Sequence, residues 1–170
     1  MKKITIHNYP LDNIDTDRII PGKYTKTLNP QDLIDHCLED LDPTFKSRVS
    51  KGDFLAGGNN FGCGSSREQA PLALKLSGID TIIAKSFARI FYRNAINIGL
   101  QLLEIPEFDI SESTVNGNFD EKTGKIRIND RDYLSKPLPS IMKSIIDNGG
   151  LVAYLKKYKQ YRINLSLIHI

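Results

Sequence analysis

The residues richest in chemistry are consecutive: Asn59-Asn60-Phe61-Gly62-Cys63-Gly64-Ser65-Ser66-Arg67-Glu68. Glycines run into two serines, an arginine and a glutamate. A glycine turn feeding a helix N-terminus leaves backbone N–H groups free and carries about half a positive charge, so it suits an anion. Arg67 adds a planar fork that matches a carboxylate, and Ser65 adds a hydroxyl. A plain helix cap beside a solvated arginine explains the same residues, and the motif alone does not separate the two readings. The stretch is not G-x-x-x-x-G-K-[ST], G-x-G-x-x-G or G-x-S-x-G, so it is no phosphate loop, dinucleotide turn or serine-hydrolase elbow.

Three other groups carry functional side chains. Asp15-Thr16-Asp17-Arg18 is an Asp-rich segment that either turns the chain or orients a site. Gly22-Lys23-Tyr24-Thr25-Lys26-Thr27 is a loop that touches a ligand or simply carries solvated lysines. Arg89 and Arg93 stand one helical turn apart and are expected to pair with carboxylates. Cys63 reads as a small buried filler, with a reactive thiol at a helix N-terminus as the alternative. The only other cysteine is Cys37, and His7, His36 and His169 show no zinc-ligand spacing, so no metal is expected in this chain.

The elements that position these groups alternate. Lys3-Ile4-Thr5-Ile6-His7-Asn8 reads as a first strand, and Pro30 to Leu38 as a short helix capped by Asn29. Asp53 to Gly58 is a short buried strand ahead of the glycine turn. Ser65-x-x-Glu68 has capping-box spacing and predicts a helix from Ser65 or Ser66 to about Ser77, stopped by Gly78; Pro71 kinks it or shifts its start. Asp80 to Lys85 is the next strand, Phe87 to Ile96 a helix capped by Ser86, and Leu100 to Ile105 a third strand. This β-α-β-α-β order predicts an α/β fold with a parallel core. Gly117 to Asp120 and Lys125 to Asn129 flank a Lys122-Thr123-Gly124 turn and predict a peripheral β-hairpin. Helices follow from Leu138 to Asp147 and from Leu151 to Tyr158.

Composition bounds the partners. With 170 residues, 40% hydrophobic and 25% charged, the chain reads as one soluble domain, placed at 1–158 with a tail at 159–170. It has no apolar run long enough for a bilayer and no signal-peptide pattern, so no membrane association is expected and a cytoplasmic location is. The net charge is +3 and mostly scattered; Lys156-Lys157-Tyr158-Lys159 with Arg162 reads as a solvated helix end, so no nucleic-acid partner is expected.

Taken together, three segments resemble one family: Asp15-Thr16-Asp17-Arg18-Ile19-Ile20-Pro21, Asn60 to Glu68, and Ala84-Lys85-Ser86-Phe87-Ala88-Arg89-Ile90-Phe91-Tyr92-Arg93-Asn94-Ala95-Ile96-Asn97. They resemble the swivel domain of the aconitase superfamily, most closely its separately encoded 3-isopropylmalate dehydratase small subunits, from about Lys3 to Tyr158. The resemblance implies a swivelling β/β/α domain and half of a hydro-lyase, active only with a large subunit that holds a [4Fe-4S] cluster, as a heterodimer or heterotetramer. The implied reaction takes 2-isopropylmalate, a small hydroxy-diacid, to 3-isopropylmalate by dehydration and rehydration in leucine biosynthesis. By the same resemblance Ser65 is the catalytic base. Ser66 and Arg67 hold substrate carboxylate, Asp17 and Gly64 orient the site, and Tyr24, Thr25, Lys26 and Thr27 read the variable part of the substrate. Lys26 departs from the family, where a neutral residue accompanies isopropylmalate and an arginine an extra carboxylate. It therefore leaves a homoaconitase- or dimethylmalate-type small subunit as an alternative. An RNA-binding or anion-sensing module is a more remote one. The tail from about Gln160 also departs from the family pattern.

Overall fold

The computed structural model describes residues 1–26 and 29–158. In chain order the elements are β1 (Lys2–Asn8), α1 (Thr16–Ile19), a 3-10 turn (Gly22–Tyr24), α2 (Pro30–Asp35), α3 (Phe45–Arg48), β2 (Asp53–Gly57), α4 (Gln69–Leu76), β3 (Ile79–Ala84), α5 (Arg89–Asn97) and β4 (Gln101–Glu104). There follow β5 (Thr114–Asp120), β6 (Lys125–Ile128), β7 (Arg131–Leu134), α6 (Ser140–Asp147) and α7 (Leu151–Tyr158).

Apolar strands separated by helices must pair in parallel, because the helix returns the chain to the same edge. β2, β3 and β4 do so, and β1 joins β2 in parallel on the other side. β2 is buried along its whole length, as a strand covered on both faces must be. The remaining strands are antiparallel. β5 pairs with β1, β6 with β5 and β7 with β6, giving one seven-stranded sheet in the order β4-β3-β2-β1-β5-β6-β7. The expected hairpin is therefore β5–β6, extended by β7, and it is joined to the parallel core through β1. The sheet curls: just past β7, the Lys136 N–H donates to the Glu104 carbonyl at the end of β4 (2.9 Å).

Curling splits the core in two. Ile6, Phe54, Ala56, Ile83, Leu103, Phe119 and Ile126 fill the inside of the curl. Ile14, Leu55, Phe61, Leu74, Ile82 and Phe91 lie between the parallel strands and their helices. A smaller cluster of Ile96, Ile145 and Tyr154 docks α6 and α7 on α5.

Three helix starts differ from the sequence expectation, the simplest being α6, which begins at Ser140 rather than Leu138. The helix after the glycine turn begins at Gln69, with Glu68 at its cap position and no side-chain cap bond, so the Ser65–Glu68 capping box is not formed. Pro71 is the reason. Starting at Gln69 puts Pro71 in the first turn, where its missing N–H has no helical partner to lose. The next helix begins at Arg89, and Ser86 does not cap it; the Ser86 hydroxyl accepts from the Asn60 N–H instead (2.8 Å). β7 was not expected from sequence, and the helix from Pro30 ends at Asp35 rather than Leu38.

Candidate active site

The parallel strands β1, β2 and β3 deliver their chain exits to one edge of the sheet, where ligands of α/β proteins commonly bind. The turn after β2 lies between the turns after β1 and β3 and is bonded to both. Asn13 N–H donates to Asn59 O (2.8 Å), Gly62 N–H to Ile14 O (2.8 Å) and Thr16 N–H to Cys63 O (2.8 Å). On the other side Phe61 N–H donates to Ser86 O (3.0 Å) and Ala88 N–H to Phe61 O (2.9 Å). These contacts are short parallel bridges, Asp15 with Cys63 and Phe61 with Phe87, which continue the sheet into the site.

Ser65 emerges exposed from this bonded frame. Its N–H donates to the hydroxyl of Thr16 (3.2 Å), and that hydroxyl lies 3.4 Å from both the Ser65 carbonyl oxygen and Ser65 Oγ. Gly64 makes the approach possible. It holds φ +97°, and a Cβ there would sit 3.1 Å from Thr16 Oγ1. The Arg67 N–H then donates back to Ser65 O (2.8 Å), a tight turn centred on exposed Ser66. With α4 starting at Gln69, its N-terminal N–H groups stand beyond Arg67 rather than under Ser65. The helix N-terminus expected at the end of the glycine turn therefore lies away from Ser65.

Arg67 is braced from another side. Its guanidinium donates to Asp17 and lies over Gly22, close enough that a Cβ on Gly22 would stand 3.2 Å from Nη2. Asp17 projects from α1, whose start is capped by the Asp15 carboxylate accepting from the Arg18 N–H (2.8 Å). So Asp17 positions Arg67, and Arg67 in turn covers the first residue of the turn that opens the Tyr24 loop. In that loop the Thr25 hydroxyl donates to Gly22 O (2.8 Å), and the Tyr24 ring stacks on His36 with centroids 3.6 Å apart. Lys26 is exposed, and Thr27 lies outside the described residues.

Of the residues singled out from sequence, the structure brings Asp17, Gly64, Ser65 and Arg67 together and joins Tyr24 and Thr25 to them through Gly22. Thr16, named from sequence only as part of the Asp-rich segment, is the residue whose side chain meets Ser65. Its only signal was a β-branched residue within an Asp-rich run. Arg89 and Arg93 do not behave as expected: both are exposed, and among the described residues neither forms a salt bridge. Cys63 is half-buried rather than a buried filler, and burial with the nearby Asp15 carboxylate raises its thiol pKa, which opposes the reactive-thiol alternative. A cavity of about 660 Å³ opens away from these residues, between Lys3, Thr5, Lys51, Asn116 and Arg127.

The iron–sulfur cluster implied for the family does not fit this chain. Cys37 is buried in the helix-side core, where desolvation pushes its thiol up to about 12, and Cys63 belongs to a different segment. Among the described residues no three His, Cys, Asp or Glu side chains gather to hold a metal. No helix among them is long and apolar enough to cross a membrane.

Curled sheet, parallel half and strand-end site together define a swivelling domain of the aconitase type, and the family model for the aconitase C-terminal domain matches residues 3–108. The chain is 53% identical over 153 residues to a 3-isopropylmalate dehydratase small subunit of Caldanaerobacter subterraneus subsp. tengcongensis, covering 86% of this chain and 92% of that one. It is 50% identical over 151 residues to small subunit 1 of Archaeoglobus fulgidus, covering 88% and 94%. The crystal structure of 3-isopropylmalate dehydratase (leuD) from Methanocaldococcus jannaschii superposes with TM-score 0.82 at 42% identity, over 93% of this chain and 96% of that chain. This chain belongs to the family of 3-isopropylmalate dehydratase small subunits.

Proposed function

We propose that this chain is the substrate-closing half of a cytoplasmic two-chain hydro-lyase. The enzyme converts 2-isopropylmalate to 3-isopropylmalate by dehydration and rehydration, on the route to leucine. The observation that carries the reading is the exposed Ser65 hydroxyl, held by Thr16 on one side of its turn, with the Asp17-held guanidinium of Arg67 two residues away. Removing a proton from carbon next to a carboxylate needs a base whose charged form is stabilised and a cation for the carboxylate. Ser65 is that base, as an alkoxide, and it carries the abstracted proton as a hydroxyl. Ser66 and Arg67 hold the carboxylate, Asp17 and Gly64 orient them, and the segment Tyr24, Thr25, Lys26 and Thr27 reads the variable group.

The cluster belongs to a large subunit, and we take the exposed first turn of α5 as the side on which that subunit docks. Ile90 is half exposed there, between Arg89 and Arg93, immediately after the Phe61–Phe87 bridge that borders the Ser65 turn. The test is assay of hydration of the alkene diacid with this chain alone and with a cluster-bearing large subunit. Activity is expected only with both; equal activity without the partner overturns the reading. Lys26 keeps a second substrate in view. Its exposed ammonium suits an extra carboxylate, so kcat/KM for homocitrate is compared with that for isopropylmalate in the same complex.

A further inference from the structure

We propose that Thr16 is a positioning residue for the reaction. Its buried hydroxyl sets the Ser65 backbone and donates a hydrogen bond to Ser65 Oγ when that oxygen carries charge. The inference rests on the reading of Ser65 as the base.

Thr16 is 1% exposed, and a buried hydroxyl is costly unless its hydrogen bonds are made. Among the described residues, every hydrogen-bond partner of this hydroxyl is an atom of Ser65: the N–H at 3.2 Å, the carbonyl oxygen at 3.4 Å and Oγ at 3.4 Å. The backbone of Thr16 is fixed. Its own N–H donates to Cys63 O (2.8 Å), and its carbonyl accepts from the Ile20 N–H (3.0 Å) at the end of α1.

A threonine hydroxyl has one proton and two lone pairs. The Ser65 N–H takes a lone pair, which polarises the O–H and improves it as a donor. That single proton has two acceptors at equal distance, both longer than an ordinary O–H···O bond of about 2.8 Å. With Ser65 neutral, Thr16 can donate to the carbonyl oxygen, and either of the two hydroxyls can donate to the other. Once Ser65 has lost its proton to solvent, the alkoxide is much the stronger acceptor, and the Thr16 proton turns to it. When Ser65 takes the substrate proton, the bond relaxes again. Such a bond is strongest while Oγ is charged, so it raises the population of the active base without holding substrate.

The test uses the complex with the large subunit. Thr16→Val keeps the side-chain shape and removes the hydroxyl, Thr16→Ala removes both, and Thr16→Ser keeps the hydroxyl. Val and Ala are expected to lower kcat about 10- to 100-fold, the worth of one hydrogen bond to a charged oxygen, with KM little changed. The rising limb of kcat against pH should move to higher pH, and Thr16→Ser should recover most of the rate. In a Ser65→Ala background, Thr16→Val should cost nothing further. Wild-type kcat and pH profile in Thr16→Val or Thr16→Ala, with Ser65→Ala reduced to a small residual rate, overturns the role of Thr16 and leaves the base assignment standing. A further loss in the Ser65→Ala background, or no recovery by serine, assigns Thr16 a purely structural part and also overturns it. An active Ser65→Ala enzyme removes the base assignment itself.

Discussion

Arg67 and Ser65 do different work although only one residue separates them. Ser65 has its backbone fixed and its hydroxyl exposed, while Arg67 is held from the side by Asp17 and lies over Gly22. A guanidinium so placed binds carboxylate through two parallel N–H groups, and a lysine ammonium does not reproduce that fork. Arg67→Lys is therefore expected to raise KM for the diacid by about tenfold or more, with a smaller loss in kcat. Asp17→Asn should shift KM in the same direction by less, since it acts through Arg67; steady-state kinetics of the complex measure both. The turn, its serine and its arginine were visible in residue order, because Gly-Cys-Gly-Ser-Ser-Arg is a local pattern, but their roles came from the family resemblance. The part of Thr16 was not visible, because nothing in Asp-Thr-Asp says which of three side chains turns inward.

Helices and strands around the site obey local rules where the rules agree and break them where they conflict. Capping-box spacing argued for a helix from Ser65, whereas proline chemistry argued for a later start, and the proline constraint won because a missing N–H is tolerated only in the first turn. That outcome frees the Ser65 turn from the helix and lets Thr16 hold it. Farther back, the exit of β1 is tied to the segment before α3: the Tyr9 hydroxyl donates to Asp42 (2.7 Å), as do the Thr44 N–H (2.9 Å) and Arg48. Burial pushes the Asp42 carboxyl upward, but the hydrogen bonds from Thr44, Tyr9 and Arg48 outweigh it and hold the pKa at about 2, below the ordinary 3.8. A depressed carboxyl stabilises the fold above pH 3.8, and that contribution is lost as pH falls toward 2. Asp42→Asn should thus cost about 1–2 kcal/mol near neutral pH, or about 3–6 °C in Tm. The difference from the parent should close between pH 4 and pH 2 in a thermal melt series, and a gap that persists at pH 2 would remove the charge from the explanation.

The molecule as a whole presents its site at a surface rather than inside a closed cavity, in keeping with a family whose members are named small subunits. On that face Ile90 stands half exposed beside two arginines that make no salt bridge among the described residues. Ile90→Asp is expected to leave the melting temperature of this chain nearly unchanged, since little packing is lost, but to weaken assembly with the large subunit. Activity would then fall at low subunit concentration and return at high concentration; a titration of one subunit into the other reads this directly. The parallel core, the β5–β6 hairpin, the glycine turn and its serine and arginine followed from the sequence, because hydrophobic period, turn residues and motif order act over a few neighbouring positions. The pairing of β1 with both β2 and β5, the added β7 and the curl depend on which edges find each other, and no local pattern carries that information. The same holds for the site. Thr16 meets Ser65 across 49 positions and Asp17 meets Arg67 across 50, so the serine acquired its partner, and the arginine its brace, only when strand register brought two distant turns to the same end of the sheet.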